Sequence, residues 1–165
     1  MIVYLVGMPG SGKSTVGVEL AGRFGVPFVD LDTEIERAAD ATVTQIFEQR
    51  GEAAFRALEV KALVEASSHD PAVVACGGGV VLEPANRITL RNTGICVFLD
   101  VPLEQLSQRV RPGDDRPLIR EAGDLERLRD SREPLYREFA AHVVDASGSP
   151  GDVAAAIVEE LRWSA

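Results

Sequence analysis

Residues 7–15 constrain the fold of this chain more than any other segment. They read GMPGSGKST and fit the pattern G-x-x-x-x-G-K-[ST] in full. The apolar run Ile2–Val6 precedes them, and residues 14–24 follow with apolar side chains at helical spacing. A strand, a glycine-rich turn and a helix in this order are the context in which the pattern forms a phosphate-binding loop. The chain is therefore predicted to begin with the first strand and helix of an α/β domain.

Each part of this loop has a physical role in binding a nucleoside triphosphate. Its glycines permit backbone dihedrals that a Cβ would forbid, so that successive N–H groups can point at the phosphates. The positive N-terminal end of the following helix strengthens the same anion site. Lys13 is expected to reach the β- and γ-phosphates, and the Ser14 hydroxyl to ligate Mg²⁺. The predicted ATP contacts in this segment are Gly10, Ser11, Gly12, Lys13, Ser14 and Thr15. A glycine-rich turn without a ligand would not need lysine and serine in this register.

Length and charge narrow the class of protein. The 165 residues suit one domain, and a hydrophobic share of 45% with no membrane-length apolar run indicates neither a disordered chain nor a membrane protein. The net charge of −9 argues against a nucleic-acid partner. Because no basic leader precedes the first strand, we expect a cytoplasmic protein. We also expect it to act as a monomer. Cys76 and Cys96 lie in apolar stretches and are predicted to be buried free thiols.

Short apolar segments alternate with helical ones along the chain. The predicted strands are residues 2–6, 28–31, 73–76, 95–99 and 142–144. They lack strict alternation, which is typical of parallel strands covered on both faces. We therefore predict a three-layer α/β domain with a central parallel sheet of about five strands. In such folds ligands bind at the carboxyl ends of the strands.

Several helix ends can be predicted from single residues. Thr42 and Gln45 have the spacing of a capping box for a short helix that stops at Gly51. A longer helix is predicted at residues 52–66, and the last helix begins after Ser149 as its cap.

Two acids follow the second predicted strand. Alternation along residues 28–31 would place Asp30 and Asp32 on the same side, at the edge where the phosphate loop also lies. One acid could hold the Mg²⁺ shell, and the other could orient or deprotonate an attacking hydroxyl. The alternative is that Asp32 caps a helix beginning at Glu34.

Three glycines, residues 77–79, follow the third predicted strand. They form either a tight turn or a stretch of backbone that presses against a small polar ligand, and the residues alone leave both possibilities open. Residues 109–124 have no helical or strand periodicity. They are either a solvated loop or a mobile lid over the phosphates with Arg116 as its cationic tip. Arg56 and Arg132 lie on helical stretches, where most arginines are solvated.

Taken together, six segments resemble the shikimate kinases in order and approximate spacing. They are the loop at 7–15, the acids at 30 and 32, FRALE at 55–59, the glycines at 77–79, RPLI at 116–119 and REPLY at 132–136. The phosphate loop is common to many kinases, whereas the acid pair, FRALE, the triple glycine and RPLI together are specific to this family. The resemblance covers essentially the whole chain.

The resemblance implies a fold and a reaction. The fold is the nucleoside-monophosphate-kinase-like P-loop architecture, a single domain over residues 1–165. Its substrate-binding helical region is expected near residues 33–60 and its lid near residues 110–123. The implied reaction transfers the γ-phosphoryl group of MgATP to the 3-hydroxyl of shikimate, in the biosynthesis of chorismate and the aromatic amino acids.

The resemblance also implies roles for single residues. Arg56 and Arg132 match the arginines that bind the substrate carboxylate, and Glu59 would hold Arg56 in place. Asp32 matches the residue that contacts the substrate hydroxyls and is the candidate base, and Gly78 matches a glycine whose backbone touches the substrate. The implied substrate contacts are Asp32, Phe47, Phe55, Arg56, Glu59, Gly77, Gly78, Gly79 and Arg132.

On the nucleotide side, Lys13 and Arg116 would neutralise the transferring phosphoryl group and are catalytic together with Asp32. Asp30 matches a residue near the Mg²⁺ water shell and joins Ser14 as the implied metal site. Arg109 matches an arginine that packs against adenine, although the neighbouring Arg111 could serve instead.

Small departures from the family pattern leave this set complete. Ile119 replaces a leucine, and Ala57 stands where many relatives have another arginine. One alternative is a different small-molecule kinase, such as a gluconate or adenylylsulfate kinase, which the triple glycine and FRALE argue against. Another is a nucleotide-dependent switch, but no Asn-Lys-x-Asp guanine motif occurs in the chain.

Overall fold

The computed structural model describes residues 1–111 and 116–163, and in this part of the chain five parallel strands form one sheet. The strands are β1 Ile2–Val6, β2 Phe28–Asp30, β3 Ala72–Ala75, β4 Gly94–Asp100 and β5 His142–Asp145. The helices are α1 Lys13–Phe24, α2 Leu31–Ala39, α3 Val43–Arg50, α4 Glu52–Ala66, α5 Pro84–Thr93, α6 Leu103–Arg109, α7 Asp124–Phe139 and α8 Pro150–Trp163, with a 3₁₀ turn at Val80–Leu82. The predicted parallel sheet of five strands is confirmed.

The strand order β2-β3-β1-β4-β5 puts the first strand at the centre of the sheet. Every residue of β1 and β3 is buried, as expected for parallel strands that are covered on both faces. Helices flank the sheet, with α1 packed against α8 and α4 against α5. Because the strands are parallel, their carboxyl ends share one edge, and the segments that follow β1, β2 and β3 meet there.

Helix ends that depend on local chemistry lie where the sequence predicted them. The Thr42 hydroxyl accepts from the Gln45 N–H at 3.1 Å, and the Gln45 amide oxygen accepts from the Thr42 N–H at 2.9 Å. This capping box opens α3, which ends before Gly51, and α4 then spans the predicted residues. The Ser149 hydroxyl accepts from the Asp152 N–H at 3.2 Å and caps α8.

The end of the second strand differs from its prediction. β2 stops at Asp30 and α2 begins at Leu31, so Asp32 already lies in the first turn of a helix. Asp30 is the cap of α2, because its carboxylate accepts from the N–H groups of Asp32 and Thr33 at 3.1 and 3.3 Å. The alternative in which Asp32 caps a helix beginning at Glu34 is therefore wrong. Strand alternation is not what brings the two acids together.

A small second hydrophobic core packs the helices of the region near residues 33–60 together. Ile35 of α2, Ile46 of α3 and Phe55 of α4 are buried against one another, apart from the main core under the sheet. This cluster fixes the three helices as one unit beside the carboxyl edge of the sheet, because each contributes one side chain that is fully or almost fully buried.

Cys76 and Cys96 are buried free thiols, as predicted. Burial raises the pKa of Cys96 to about 12 and raises that of Cys76 as well, so neither thiol forms a reactive thiolate near neutral pH. Among the described residues, no helix combines the length and the apolar character needed to cross a bilayer.

Candidate active site

A cavity of about 1060 Å³ opens at the carboxyl edge of the sheet. Every site residue predicted from the sequence lines it, namely Gly10, Ser11, Gly12, Lys13, Ser14, Thr15, Asp30, Asp32, Phe47, Phe55, Arg56, Glu59, Gly77, Gly78, Gly79, Arg109, Arg116 and Arg132. Lining residues that sequence reasoning missed include Pro9, Glu36, Val43, Ala146, Gly148 and Pro150. The last three follow β5, and the rule that ligands bind at the carboxyl ends of strands could have found them.

The phosphate loop has the backbone geometry of an anion site. Gly10 and Gly12 have φ values of +79° and +90°, which side-chain-bearing residues rarely adopt. A Cβ on Gly10 would also lie 2.5 Å from the Cγ2 methyl of Val110. Gly12 is the N-cap of α1 and no side chain caps that end, so the first N–H groups of the helix are left for a ligand.

Lys13 folds back onto the loop that precedes it. Its ammonium donates to the carbonyl oxygens of Gly7 and Met8, both at 2.8 Å, and to the Ser11 hydroxyl at 3.3 Å. Desolvation lowers the pKa of Lys13 to about 8, and the Asp32 carboxylate opposes this shift. A bound polyphosphate would favour the charged form of this ammonium.

Ser14 and Asp30 are the protein oxygens available to a divalent cation. The Ser14 hydroxyl donates to the Asp30 carboxylate at 2.5 Å, and both residues line the cavity. The described residues contain no cluster of three or more His, Cys, Asp or Glu side chains suited to a metal. A hydroxyl and one carboxylate fit Mg²⁺, which keeps several waters and takes its other oxygens from substrate phosphates.

Asp32 lies between the phosphate loop and the helical region. Its Oδ1 atom is buried and has no hydrogen-bond partner in the described part of the chain. Burial raises the pKa of Asp32, the neighbouring Asp30 adds to the rise, and Lys13 opposes it. A buried carboxylate oxygen with no partner and a raised pKa suits a proton acceptor.

Arg56 of α4 is buried between two acids. One of its terminal nitrogens donates to Glu59 at 2.9 Å and the other to Glu52 at 3.2 Å, while its Nε is buried without a partner among the described residues. Glu59 is completely buried, and burial raises its pKa against the opposing charge of Arg56. The predicted role of Glu59 as the group that holds Arg56 agrees with this geometry.

Arg132 of α7 is 4% exposed and faces the same cavity. None of the ion pairs between described residues includes it, although buried guanidinium groups are normally paired. A buried positive charge without a carboxylate partner, on the wall of a cavity, is a site for an anionic ligand.

The three glycines make room for the charged groups of the cavity. A Cβ on Gly77 would lie 2.8 Å from Glu59 Oε2, and one on Gly78 would lie 3.1 Å from Arg132 Nη1. A Cβ on Gly79 would lie 2.4 Å from both terminal nitrogens of Arg56. The segment is therefore more than a tight turn, because its bare backbone lets both guanidinium groups approach the sheet edge.

Two aromatic rings wall the cavity beside these charges. Phe47 of α3 and Phe55 of α4 pack with ring centroids 4.8 Å apart at 40°. The Arg56 guanidinium lies 5.2 Å from the centroid of Phe55, within range of a cation–π interaction.

Two further arginines, Arg109 and Arg116, line the cavity on the side of the phosphate loop. Arg109 donates to the Gly10 carbonyl at 3.1 Å, which holds its guanidinium beside the phosphate loop. Arg116 lines the cavity, and Ile119 is buried in the main core. Residues 112–115 of the predicted lid lie outside the described residues, so the extent and movement of a lid stay predictions.

Comparison with known proteins places this cavity in a family. The family model described as shikimate kinase matches residues 9–162. The chain belongs to the shikimate kinase family. It is accordingly an ATP-dependent phosphotransferase that acts on a hydroxyl of shikimate, a reaction of aromatic amino-acid biosynthesis.

Individual relatives agree over nearly the full length. A shikimate kinase of Paracidovorax citrulli is 43% identical over 164 residues, which cover 96% of this chain and 88% of the relative. The solved structure of a shikimate kinase from Acinetobacter baumannii in complex with shikimate has a TM-score of 0.95 at 39% identity, and the match covers 99% of this chain and 93% of that one.

A gluconokinase from Sinorhizobium meliloti shares the fold alone. The match covers 99% of this chain and 96% of the gluconokinase chain, but the TM-score is 0.58 and the sequence identity is 19%. The likeness shows that the architecture is common to kinases of different acceptors. Membership of the shikimate kinase family therefore excludes the alternative that this chain is a gluconate kinase.

Proposed function

We propose that this chain transfers the γ-phosphoryl group of MgATP to the 3-hydroxyl of shikimate through a cavity divided into two halves. The nucleotide half is the phosphate loop with Lys13, and the acceptor half is the wall formed by Arg56 and Arg132. The observation that carries the proposal is the buried guanidinium of Arg132, which has no carboxylate partner among the described residues and lies on the wall of a cavity that also contains the phosphate loop.

In the acceptor half, Arg56 and Arg132 bind the carboxylate of shikimate. Both guanidinium groups are buried, so their hydrogen bonds to a carboxylate are little weakened by water. Glu59 keeps Arg56 in place, and the backbone of Gly78 touches the acceptor. Phe47 and Phe55, with Gly77 and Gly79, complete the wall around the ring.

In the nucleotide half, the backbone of residues 10–15 surrounds the phosphates at the N-terminal end of α1. Lys13 leaves its contacts with Gly7 and Met8 and turns to the β- and γ-phosphates. Arg116 adds positive charge beside the γ-phosphate, and Arg109 packs on the base.

Asp32 connects the two halves. Its carboxylate accepts the proton of the 3-hydroxyl as that oxygen forms its bond to the γ-phosphorus. The bond between the γ-phosphorus and the bridging oxygen breaks, and that oxygen leaves with ADP. Lys13 and Arg116 lie where negative charge gathers on the transferring group, and such electrostatic stabilisation supplies most of the catalysis in phosphoryl transfer.

Ser14 and Asp30 would hold the magnesium ion of MgATP. When bound, the ion neutralises charge on the phosphate oxygens. The hydrogen bond between the two side chains supports this assignment, because it brings the two oxygens next to each other. We also infer a cytoplasmic monomer without a nucleic-acid partner, in keeping with the net charge of −9.

The test is the release of ADP from MgATP, measured with shikimate, quinate, gluconate, adenylylsulfate or no acceptor. We expect turnover with shikimate alone. Turnover with gluconate or adenylylsulfate would overturn the roles of Arg56, Gly78 and Arg132. Binding of ATP without turnover of any acceptor would instead favour a nucleotide-dependent switch.

A further inference from the structure

Tyr136 contacts a residue of the acceptor half of the cavity from outside the cavity, and the proposed reaction assigns it no role. It lies on α7, one turn after Arg132, and it is completely buried. Its hydroxyl donates to the carbonyl oxygen of Gly78. Tyr136 is absent from the residues that line the cavity, so it can act on a substrate only through its neighbours.

The ring of Tyr136 is held on a firm support. It stacks on Phe98 of β4 with the centroids 5.2 Å apart and the planes at 28°. Arg137 covers Phe98 at 5.4 Å and also forms a salt bridge of 2.6 Å with Asp100 at the end of that strand. The hydroxyl is therefore fixed by the sheet and not by the ligand.

Holding the Gly78 carbonyl fixes the direction of the next N–H group. In a trans peptide the C=O of Gly78 and the N–H of Gly79 point in opposite directions, so a carbonyl turned towards Tyr136 turns that N–H away from it. Among the hydrogen bonds of residues 1–111 and 116–163, none is donated by the N–H of Gly78 or Gly79. Both glycines line the cavity, where an acceptor oxygen can reach them.

Tyr136 is also close to the charges that bind the acceptor. Burial raises the pKa of Tyr136 to about 12, and the positive charges of Arg132 and Arg56 oppose this rise. The hydroxyl thus contacts the Gly78 carbonyl and forms a side-chain hydrogen bond with Arg132.

We propose that Tyr136 is a positioning residue, whose hydroxyl sets the direction of the Gly78–Gly79 peptide and the place of Arg132 for the carboxylate of the acceptor. This inference rests on the proposed function, because it assumes that this wall binds an acid. It makes Tyr136 a determinant of affinity for an anionic acceptor, with little effect on the nucleotide or on the chemical step.

The test is Tyr136→Phe, which removes the hydroxyl and keeps the ring on Phe98. The matched control is Tyr4→Phe, because Tyr4 is equally buried and its hydroxyl is bonded to Thr93 at 2.7 Å, outside the cavity. Loss of a hydrogen bond that orients a charged contact should raise the KM for shikimate about tenfold in Tyr136→Phe. The kcat at saturation and the KM for MgATP should stay near wild type, and Tyr4→Phe should change none of the three.

Shikimate methyl ester, which lacks the negative charge, separates positioning from general loosening. Tyr136→Phe should weaken competitive binding of shikimate far more than that of the ester. Equal weakening of both, or an unchanged KM for shikimate in a variant as stable as Tyr4→Phe, would overturn the proposal. If Tyr136→Phe does not fold, Phe98→Leu loosens the support of the ring, and an unchanged KM there overturns it as well.

The same series distinguishes this inference from the proposed function. Wild-type protein without turnover of shikimate would contradict the proposed function itself. Wild-type turnover together with an unaltered Tyr136→Phe would contradict only the role of Tyr136.

Discussion

The two halves of the cavity bind anions by different physical means. The phosphate loop uses consecutive residues, backbone N–H groups and a helix end, and two of its side chains, Ser14 and Thr15, are exposed. The acceptor wall uses side chains from α4 and α7 that lie far apart in sequence, and its arginines are less than a tenth exposed. One half is a property of local backbone, and the other is a property of tertiary packing.

This difference has a consequence for specificity. Backbone N–H groups and a helix end attract any phosphate chain, so the loop alone does not select an acceptor. Buried guanidinium groups at fixed positions require a carboxylate at a matching position, and a wrong acceptor leaves Arg132 without a carboxylate partner. We therefore expect variants in the wall to change affinity for the acid and variants in the loop to change affinity for the nucleotide, with Asp32 affecting turnover alone.

The largest effect is expected for Asp32→Asn, which keeps the shape of the side chain and removes its basicity. The kcat should fall on the order of 10²- to 10⁴-fold, the usual contribution of a positioned general base. Dissociation constants for shikimate and MgADP, measured by calorimetry, should change little. The control is Asp40→Asn at the end of α2, where φ is +49° and asparagine is tolerated. Loss of nucleotide affinity in step with kcat would move Asp32 into the nucleotide half.

Arg132→Ala should have the next largest effect. Hydrogen bonds to charged groups contribute about 1.5–3 kcal/mol, so the KM for shikimate should rise on the order of 10- to 100-fold. The KM for MgATP should remain nearly the same in steady-state assays. Arg127→Ala, on the same helix but exposed, is the control and should be silent. The opposite ranking of the two KM values would break the division of the cavity.

Gly79→Ala sharpens the comparison with a single methyl group. The new Cβ would lie 2.4 Å from the terminal nitrogens of Arg56, so the guanidinium must move. We expect the KM for shikimate to rise about tenfold, the order of a charged hydrogen bond that is lost. Gly22→Ala, where no atom lies within 4 Å, should leave the KM unchanged and stabilise the protein by about 1 kcal/mol through helix propensity. An unaltered KM for shikimate in Gly79→Ala would show that acceptor binding does not depend on the present position of the Arg56 guanidinium.

The smallest effect expected is a pH dependence that only the nucleotide half shows. The pKa of Lys13 is lowered to about 8, and phosphates favour the ammonium form, so MgADP binding should take up a proton near that pH. Affinity for MgADP should then fall severalfold as the pH rises from about 7 to about 9. Affinity for shikimate should stay flat over the same range, because arginine remains charged.

Calorimetry in buffers of different ionisation enthalpy measures this proton uptake directly. Turnover depends on pH in the opposite direction and should fall as the pH is lowered. Burial raises the pKa of Asp32, so this base becomes protonated as the pH falls through that value. A nucleotide affinity that does not change between pH about 7 and about 9 would show that Lys13 is fully charged without ligand.

Local rules accounted for much of what the sequence predicted. The capping box at Thr42 and the boundaries of α4 depend on contacts within a few residues, and both were predicted. The five strands were predicted from short apolar runs, but the predicted β2 was one residue too long at its carboxyl end. That error arose because Asp30 caps the next helix, a choice that depends on where the chain turns and not on alternation.

The site residues were found by resemblance more than by physics. No periodicity indicates that Arg132 faces the cavity, since nothing in its own helix distinguishes it from the exposed Arg127. The open choice at residues 77–79 required the neighbouring side chains, because the glycines make room for charges from two other elements. The contact between Tyr136 and Gly78 joins residues 58 positions apart, and no local pattern predicts it.

The most direct test of the divided cavity is a crossed titration. The dissociation constants of shikimate and of MgADP would be measured by calorimetry for Lys13→Ala and for Arg132→Ala, beside wild type. The account predicts that Lys13→Ala loses affinity for MgADP and keeps it for shikimate, and that Arg132→Ala does the reverse. Equal losses for both ligands in either variant would contradict the division of the cavity into a nucleotide half and an acceptor half.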